Sequence, residues 1–405
     1  MHRAMLALLF WLSVSLVAFS YVGYPIALVV WSGVRDALEA LRFVGGGPDR
    51  RVQAARSAEE WPRVTLAFSA FDEESCIREK IENCLALDYP PDRLEILVGC
   101  DGCTDRTAAI AREVGGGRVR VHELSPRSGK ASVLNRLVPA AQGDVVVLTD
   151  ANSMLDPGAI RALARRFRDP SVGAAVGRLR FVDFAGREQE ESLYWKYETF
   201  LKYYEGKHGC VLGANGGIYA IRRVLFAPLS ADTLNDDLVI PVRIAVRGWR
   251  VLYAADALAS EETAPDSAKE FVRRARIGAG NWQALASVPD LLDPRTGFLF
   301  FAFVAHKLLR WATPFLLAAA FASNAILAAA PGAWGYRAIL LAHAGFYALA
   351  LAGPIRVAGR ARKAASAAQY FVAMNAALAV GAWRFVRGTQ AATWQRTARS
   401  GARAA

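Results

Sequence analysis

Stretches that are apolar throughout bracket a central stretch in which apolar positions recur with strand and helix periods. Between Ala4 and Val34 there is no Asp, Glu, Lys or Arg. At about 1.5 Å per residue such a run crosses a hydrocarbon layer of about 30 Å. Met5–Trp31 is therefore predicted to be a transmembrane helix; a cleaved signal peptide would have a shorter apolar region and a small-residue cleavage site. From Trp61 onward the pattern changes. Val64–Phe68, Leu94–Gly99, Arg118–His122 and Asp144–Thr149 read as strands, and Glu73–Leu87, Asp105–Val114 and Gly129–Ala141 between them repeat with the helical period. Strands alternating with helices of about 10 to 15 residues predict right-handed βαβ units and a mostly parallel sheet.

A second apolar region begins near Phe298. Phe315–Ala330 and Ile339–Pro354 are its clearest cores, joined by the turn Pro331-Gly332-Ala333-Trp334. Phe298–Arg310, with Lys307 and Arg310 among aromatics, has the pattern of a helix lying at a membrane surface. Ala364–Trp383 is long enough to span but contains Gln369 and Asn375. If it spans, the Arg-rich tail Arg384–Arg403 ends outside, against the positive-inside rule; if it lies at the interface, the tail stays inside. The expected organisation is an amino-terminal transmembrane helix (1–34), a linker (35–60), an α/β domain (61–290) and carboxyl-terminal interfacial and transmembrane helices with a basic tail (291–405).

Composition sharpens this picture. With 54% hydrophobic residues and a mean hydropathy of +0.19, the 405-residue chain holds one substantial globular domain plus membrane segments. Arg35, Arg42, Arg50, Arg51 and Arg56 follow the first span, whereas only Arg3 precedes it. This asymmetry places the central domain in the cytoplasm of a multi-pass inner (plasma) membrane protein. The net charge of +12 is concentrated in Arg clusters beside apolar spans, where anionic headgroups suffice as partners and nucleic acid is not required. Five cysteines, at positions 76, 84, 100, 103 and 210, lie in the domain assigned to the cytoplasm and are expected to be free thiols. Cys100 and Cys103 form a lone CxxC with no second pair, which argues against a zinc site.

Candidate chemistry gathers where strands end. The strand Asp144–Thr149 delivers Asp150 and, two residues on, Asn152 to its carboxyl edge, the edge at which open α/β sheets bind ligands. Two hard oxygen donors there suit Mg2+ or Mn2+ carrying a diphosphate. Cys100-Asp101-Gly102 ends an earlier strand, and Asn235-Asp236-Asp237 precedes a predicted helix at Leu238–Val246. GxGxxG and GxxxxGK are both absent, so a dehydrogenase or P-loop ATPase has little support.

Taken in order, these elements resemble the membrane-integrated branch of the family 2 glycosyltransferases, which includes polysaccharide synthases. Ala70-Phe71-Asp72-Glu73-Glu74 resembles the family's "AYNEE", and Cys100-Asp101-Gly102-Cys103-Thr104-Asp105 its "DDGSTD" with Cys for the first Asp. Ser128–Asn135 resembles "GKxxALN", and Thr149-Asp150-Ala151-Asn152 stands where the D-x-D metal motif belongs, with Asn at the second acidic position. Gly213–Arg223 is similar to the acceptor-side loop, Asn235-Asp236-Asp237 to "TED", and Arg273-Arg274-Ala275-Arg276-Ile277 to "QxxRW". The resemblance implies a GT-A fold, the α/β fold of nucleotide-diphospho-sugar transferases. It implies inverting transfer of a sugar, most simply from a UDP-sugar, to a glycan or lipid-linked acceptor in cell-surface polysaccharide synthesis.

Moving a sugar off a diphosphate requires the departing anion to be stabilised and the incoming hydroxyl to lose its proton. Asp150 and Asn152 would hold the metal that neutralises the diphosphate. Asp237, the last acid of its triplet, is the expected base, with Asp236 beside it to orient the site or raise its pKa; the same triplet also suits a helix cap. Asp101, Asp72 and Glu74 are expected at the nucleoside, and Lys130 at base or phosphate. Arg273 and Arg276, one turn apart, would clamp the diphosphate or meet lipid headgroups. Asn215 and Gly216 belong to the acceptor-side loop, and Trp282 would stack on a sugar or sit in a core. Arg273 for Gln and Ile277 for Trp alter the element associated with chain-extending synthases. Gly388–Arg396 loosely resembles a gating loop, and an interfacial anchor accounts for its Trp equally well. Rival functions are single-sugar transfer to polyprenyl phosphate and a nucleotide-binding membrane scaffold without catalysis. Transport is disfavoured, because no acidic residue lies between Phe298 and Ala405 to form an ion relay.

Overall fold

The computed structural model describes residues 1–44, 61–182, 193–262, 267–353 and 359–391. Arg50, Arg51 and Arg56, most of the expected linker, and the tail beyond residue 391 with most of the Gly388–Arg396 segment lie outside the described residues. The chain divides into two compact units. One comprises Met1–Ala27, Asp266–Gln283 and Phe303–Gln390; the other comprises Leu28–Pro265, Ala284–Ala302 and Ala391–Ala405.

The second unit is built on a mixed eight-stranded sheet. Its strands are β1 (Val64–Ala70), β2 (Leu94–Asp101), β3 (Val119–Leu124), β4 (Val145–Leu148), β5 (Ser153–Leu155), β6 (Val172–Val182), β7 (Tyr219–Arg222) and β8 (Arg250–Glu262), in the spatial order β3-β2-β1-β4-β7-β6-β8-β5. β3, β2, β1 and β4 run parallel, with Val64 level with both Leu94 and Val145. β7 is antiparallel to both β4 and β6, while β6 and β8 are parallel. Every residue of β1 and β4 is buried, as expected of parallel strands covered on both faces. Strand alternation assigns the covers. Helices Ile77–Leu85 and Thr107–Gly115 share a core with Val98 and Cys100, whereas a Cβ on the intervening Gly99 would run into Val133 and Leu137 of helix Lys130–Ala140.

The strands and helices expected up to Thr149 are present; β1, β2 and β3 run two residues past their expected carboxyl ends, and the helices are shorter than expected. The first helix begins at Ile77 rather than Glu73, because residues 72–76 form a turn at the strand end, and the second begins at Thr107, after Asp105. β5 to β8 were not foreseen. β6 has small residues in place of the alternation that marks a strand, β8 is paired through a register shift at Gly177/Arg178, and β5 and β7 are short.

The first unit is helical. Among the described residues four helices are long and apolar enough to cross a membrane: His2–Arg42, Phe298–Ala328, Trp334–Ala352 and Ala361–Arg387. Phe298–Arg310 is not a separate surface helix as expected; it continues without a break into Leu309–Ala328. His2–Ala18 packs along Leu309–Ala328 with Phe10 buried between them, and the Ser20 hydroxyl donates to the Ala305 carbonyl at 2.8 Å. Helices Ser267–Ser287 and Arg360–Arg387 approach backbone to backbone: a Cβ on Gly381 would meet the Ala275 carbonyl and stand 2.7 Å from the Ala279 nitrogen.

Candidate active site

The loops that leave the carboxyl ends of β1 and β2 are tied to each other. Asp72, the one non-glycine residue with positive φ (50°) among the described residues, accepts from the Thr104 amide at 2.7 Å. Glu74 takes the Arg106 amide at 3.2 Å and gives its own amide to Asp105 at 3.1 Å. Ligand atoms of Asp72, Cys103 and Asp105 lie within 4.8 Å of one another. Each already makes a bond that stitches these loops, Cys103 to the Ala70 carbonyl at 3.4 Å and Asp105 to the Glu74 amide at 3.1 Å. Asp101, fully buried, accepts from Ser128 N at 2.7 Å with one oxygen and from Gly129 N at 2.8 Å with the other. It thereby fixes the start of helix Lys130–Ala140, and with it the position of Lys130.

Lys130 is the hub. Its Nζ lies 2.8 Å from Asp150 Oδ1, beyond the end of β4, and 3.2 Å from Asp236 Oδ2, in the first turn of helix Asp236–Ala245. The side chains of Lys130, Asp150 and Asp236 are 20%, 33% and 10% exposed, so the cluster borders solvent without being immersed in it. Burial alone would lower the Lys130 ammonium, but Asp150, Asp236 and Asp237 together hold it above its ordinary value. Asp236 also accepts from the buried Tyr219 hydroxyl at 3.4 Å. Burial, and then the neighbouring Asp236 charge, raise the Asp237 carboxyl to about 6. Asn235 stands at the N-cap of this helix, but its side chain makes no capping hydrogen bond.

The loop before β7 closes over Asp150. A Cβ on Gly216 would stand 2.7 Å from Asp150 Oδ2, and the Thr149 hydroxyl donates to the Gly217 carbonyl at 2.6 Å. Lys202 donates to Asn215 Oδ1 at 2.5 Å and acts to lower the Asp237 pKa. Asn152 donates through Nδ2 to Glu261 Oε1 at 2.8 Å. The Asn152 amide oxygen and the Asp150 and Glu261 carboxylates are hard oxygen donors, a type that suits Mg2+ or Mn2+ better than a thiophilic metal.

The structure thus gathers Lys130, Asp150, Asp236, Asp237, Asn215 and Gly216, with Asp101 behind them. Arg273, Arg276 and Trp282 belong to the first unit. Arg273 pairs with Glu270 at 2.9 Å, and the Trp282 ring lies 6.2 Å from that of Trp311, edge to face. Lys202, Tyr219 and Glu261 were not anticipated. The buried Glu198, Lys202 and Glu205 fall at i, i+4 and i+7 of an aromatic-rich helix, a spacing that places them on one face and was visible in the sequence. Glu261 joins Asn152 only through the pairing of β5 with β8.

Residues 62–280 match the model of the family described as Glycosyltransferase like family 2. The chain belongs to this family. Among curated relatives, the glycosyltransferase is 26% identical over 267 residues to the beta-monoglucosyldiacylglycerol synthase of Synechocystis sp., covering 61% of this chain and 54% of that protein. It is 25% identical over 212 residues to the poly-beta-1,6-N-acetyl-D-glucosamine synthase of Staphylococcus aureus, covering 49% of each. The chain thus spans about half the length of these relatives. Among solved structures, the mannosyltransferase PcManGT of Pyrobaculum calidifontis, determined with GDP-Man and Mn2+, superposes with a TM-score of 0.65 at 23% identity. That match covers 93% of this chain and 99% of the other, and shows a common GT-A fold.

Proposed function

We propose that this membrane glycosyltransferase moves a sugar from a nucleotide-diphosphate sugar, a UDP-sugar in the first instance, to a hydroxyl of a glycan or lipid-linked acceptor with inversion, in cell-surface polysaccharide synthesis. The observation that carries the proposal is Lys130 bridging Asp150 and Asp236, with Asp237 in the next position of the same helix turn. Asp237 is assigned as the base: a carboxyl titrating at about 6 is ionised at neutral pH yet basic enough to take a proton from the acceptor hydroxyl as the new bond forms. Asp236 holds Lys130 and raises Asp237. Lys130, cationic beside Asp150, is assigned to the leaving diphosphate.

Asp150 and Asn152, with Glu261 beside them, would hold Mg2+ or Mn2+. The bound ion would supply charge neutralisation of the departing diphosphate. Asp72, Glu74 and Asp101 are assigned to the nucleoside end, Asp101 acting through the Ser128–Gly129 turn that it fixes. Asn215 and Gly216 are assigned to the acceptor side, as is Trp282, and Arg273 and Arg276 to the diphosphate. The α/β domain of 61–290 is taken to face the cytoplasm of the inner membrane between the two helical ends. Similarity to the beta-monoglucosyldiacylglycerol synthase of Synechocystis favours a second acceptor class, a membrane lipid receiving one sugar.

The test is nucleotide release from a panel of nucleotide sugars by the detergent-solubilised full chain with Mg2+ or Mn2+, against Asp237→Asn and a chelator. Release from one donor, lost with both controls, is the expected result. Binding without release under every condition would instead support a scaffold that retains nucleotide but no catalysis.

A further inference from the structure

Helix Ile77–Leu85 carries a fully buried lysine that none of the roles above uses. The hydrogen-bond partners of Lys80 Nζ are neutral oxygens, the Thr149 hydroxyl at 3.2 Å and the Ser153 carbonyl, and the Phe68 ring centroid lies at 5.4 Å. A buried ammonium without a directly bonded carboxylate is expensive, and burial accordingly lowers its pKa, with Asp150 among the charges that oppose the fall. A methionine would fill the same space without that cost.

The placement of its neighbours explains what the lysine does there. Cys76, Lys80 and Asn83 share one helix face and meet alternate residues of the segment that carries Asp150 and Asn152. Cys76 Sγ is 3.9 Å from the Ala151 carbonyl, Lys80 holds Thr149 and Ser153, and Asn83 exchanges hydrogen bonds of 2.9 Å with the Leu155 backbone in both directions. Burial follows the same alternation. Residues 149, 151, 153 and 155 are buried, and 150 and 152 are half-buried. The Thr149 hydroxyl then passes the contact on to Gly217, one residue from the glycine that lies against Asp150.

We propose that Lys80 is a positioning residue for the metal-binding turn. It draws Thr149 and Ser153 onto the helix, so that Asp150 and Asn152 project together from the opposite side and the 213–217 loop is held against them. This rests on the transferase reading and on Asp150 as a metal ligand. Lys80 itself touches neither donor nor acceptor.

The experiment uses the full chain in detergent and follows free Mn2+ by electron paramagnetic resonance in the presence of UDP or GDP, alongside the melting temperature. Lys80→Met should raise the apparent Mn2+ dissociation constant about tenfold, the range seen when partners of metal ligands are removed. Asn83→Ala, which loosens the same helix at Leu155, should lower the melting temperature while leaving Mn2+ binding within about twofold of wild type. A folded Lys80→Met protein that binds Mn2+ like wild type overturns the proposal, whatever its melting temperature. If Lys80→Met does not fold, Thr149→Val keeps the lysine but breaks its link to the turn; the same tenfold weakening is expected, and unchanged binding overturns the proposal. Failure of the wild-type protein to bind Mn2+ with either nucleotide would count against the transferase reading itself.

Discussion

Asp237 is the residue on which the proposed chemistry is most exposed to test. Replacing it with Asn should lower turnover by about 100-fold or more, the usual contribution of a positioned base, while nucleotide binding persists. In the wild-type protein kcat should rise as the pH passes through about 6 and then level off. Stability moves the other way. A carboxyl that titrates at about 6 in the folded chain and near 3.8 when unfolded keeps its proton on the folded form between those values. The folded state therefore loses stability as the pH climbs from about 4 to about 6. Asp237→Asn should melt above wild type at pH 7.5, and the gap should narrow below about pH 6 and close near pH 4; a variant that melts below wild type at both pH 7.5 and pH 4 would show that the carboxylate is not strained. The acids of this cluster could be read from the sequence because each ends a recognisable strand or starts a helix. Lys202 and Glu261 could not be read so easily, since their partners Asn215 and Asn152 are reached only through tertiary packing.

At the scale of elements, the site is the meeting of a strand end, two helix starts and a glycine loop. Gly216 is the tightest of these contacts, and its lack of a side chain is what allows the loop to pass Asp150. Gly216→Ala should displace the Asp150 carboxylate and cut activity about tenfold or more, with a melting temperature near wild type because the collision is with a half-exposed side chain. Unchanged activity would mean that Asp150 moves freely. β1, β2 and β4 were legible because parallel strands buried on both faces read as apolar runs, and the half-exposed edge strand β3 because Val119 and Val121 alternate with polar residues. β6 and β8 were hidden by their composition, Val-Gly-Ala-Ala-Val-Gly in one and a register shift in their pairing. β8, through its pairing with the short β5, also brings Glu261 to Asn152, so a strand that was missed carries a site residue that was missed. The helix crossing at Gly278 and Gly381 follows similar small-residue logic. Gly381→Leu would drive a side chain into the Ala275–Ala279 backbone and should destabilise the helical unit by about 1–3 kcal/mol, read as earlier loss of helical signal on heating.

For the whole molecule, the open choice in the sequence concerned the last helix: span and carry the basic tail outward, or lie at the interface and keep it in. Length and composition alone allow Ala361–Arg387 to cross. Its packing argues otherwise. Gly381 and Leu378 abut Gly278 on a helix, Ser267–Ser287, that carries Glu270, Arg273, Arg274 and Arg276 and is not among those apolar enough to cross. A helix so charged is expected to stay out of the hydrocarbon, and the prediction is that the carboxyl-terminal end of Arg360–Arg387 lies at the membrane surface beside it. By the positive-inside rule, Arg35 and Arg42 are expected to keep the segment after the first span on the cytoplasmic side, and Arg384 and Arg387 are expected on the same side. An epitope tag after Ala405 should therefore be protected from protease added to intact cells and cut in inverted membrane vesicles, as should sites within residues 61–262. Cutting of the tag alone from outside would show that the last helix crosses the membrane and that its contact with Ser267–Ser287 lies within the bilayer. Cutting of both from outside would reverse the orientation and separate the proposed site from the cytoplasmic supply of nucleotide sugar.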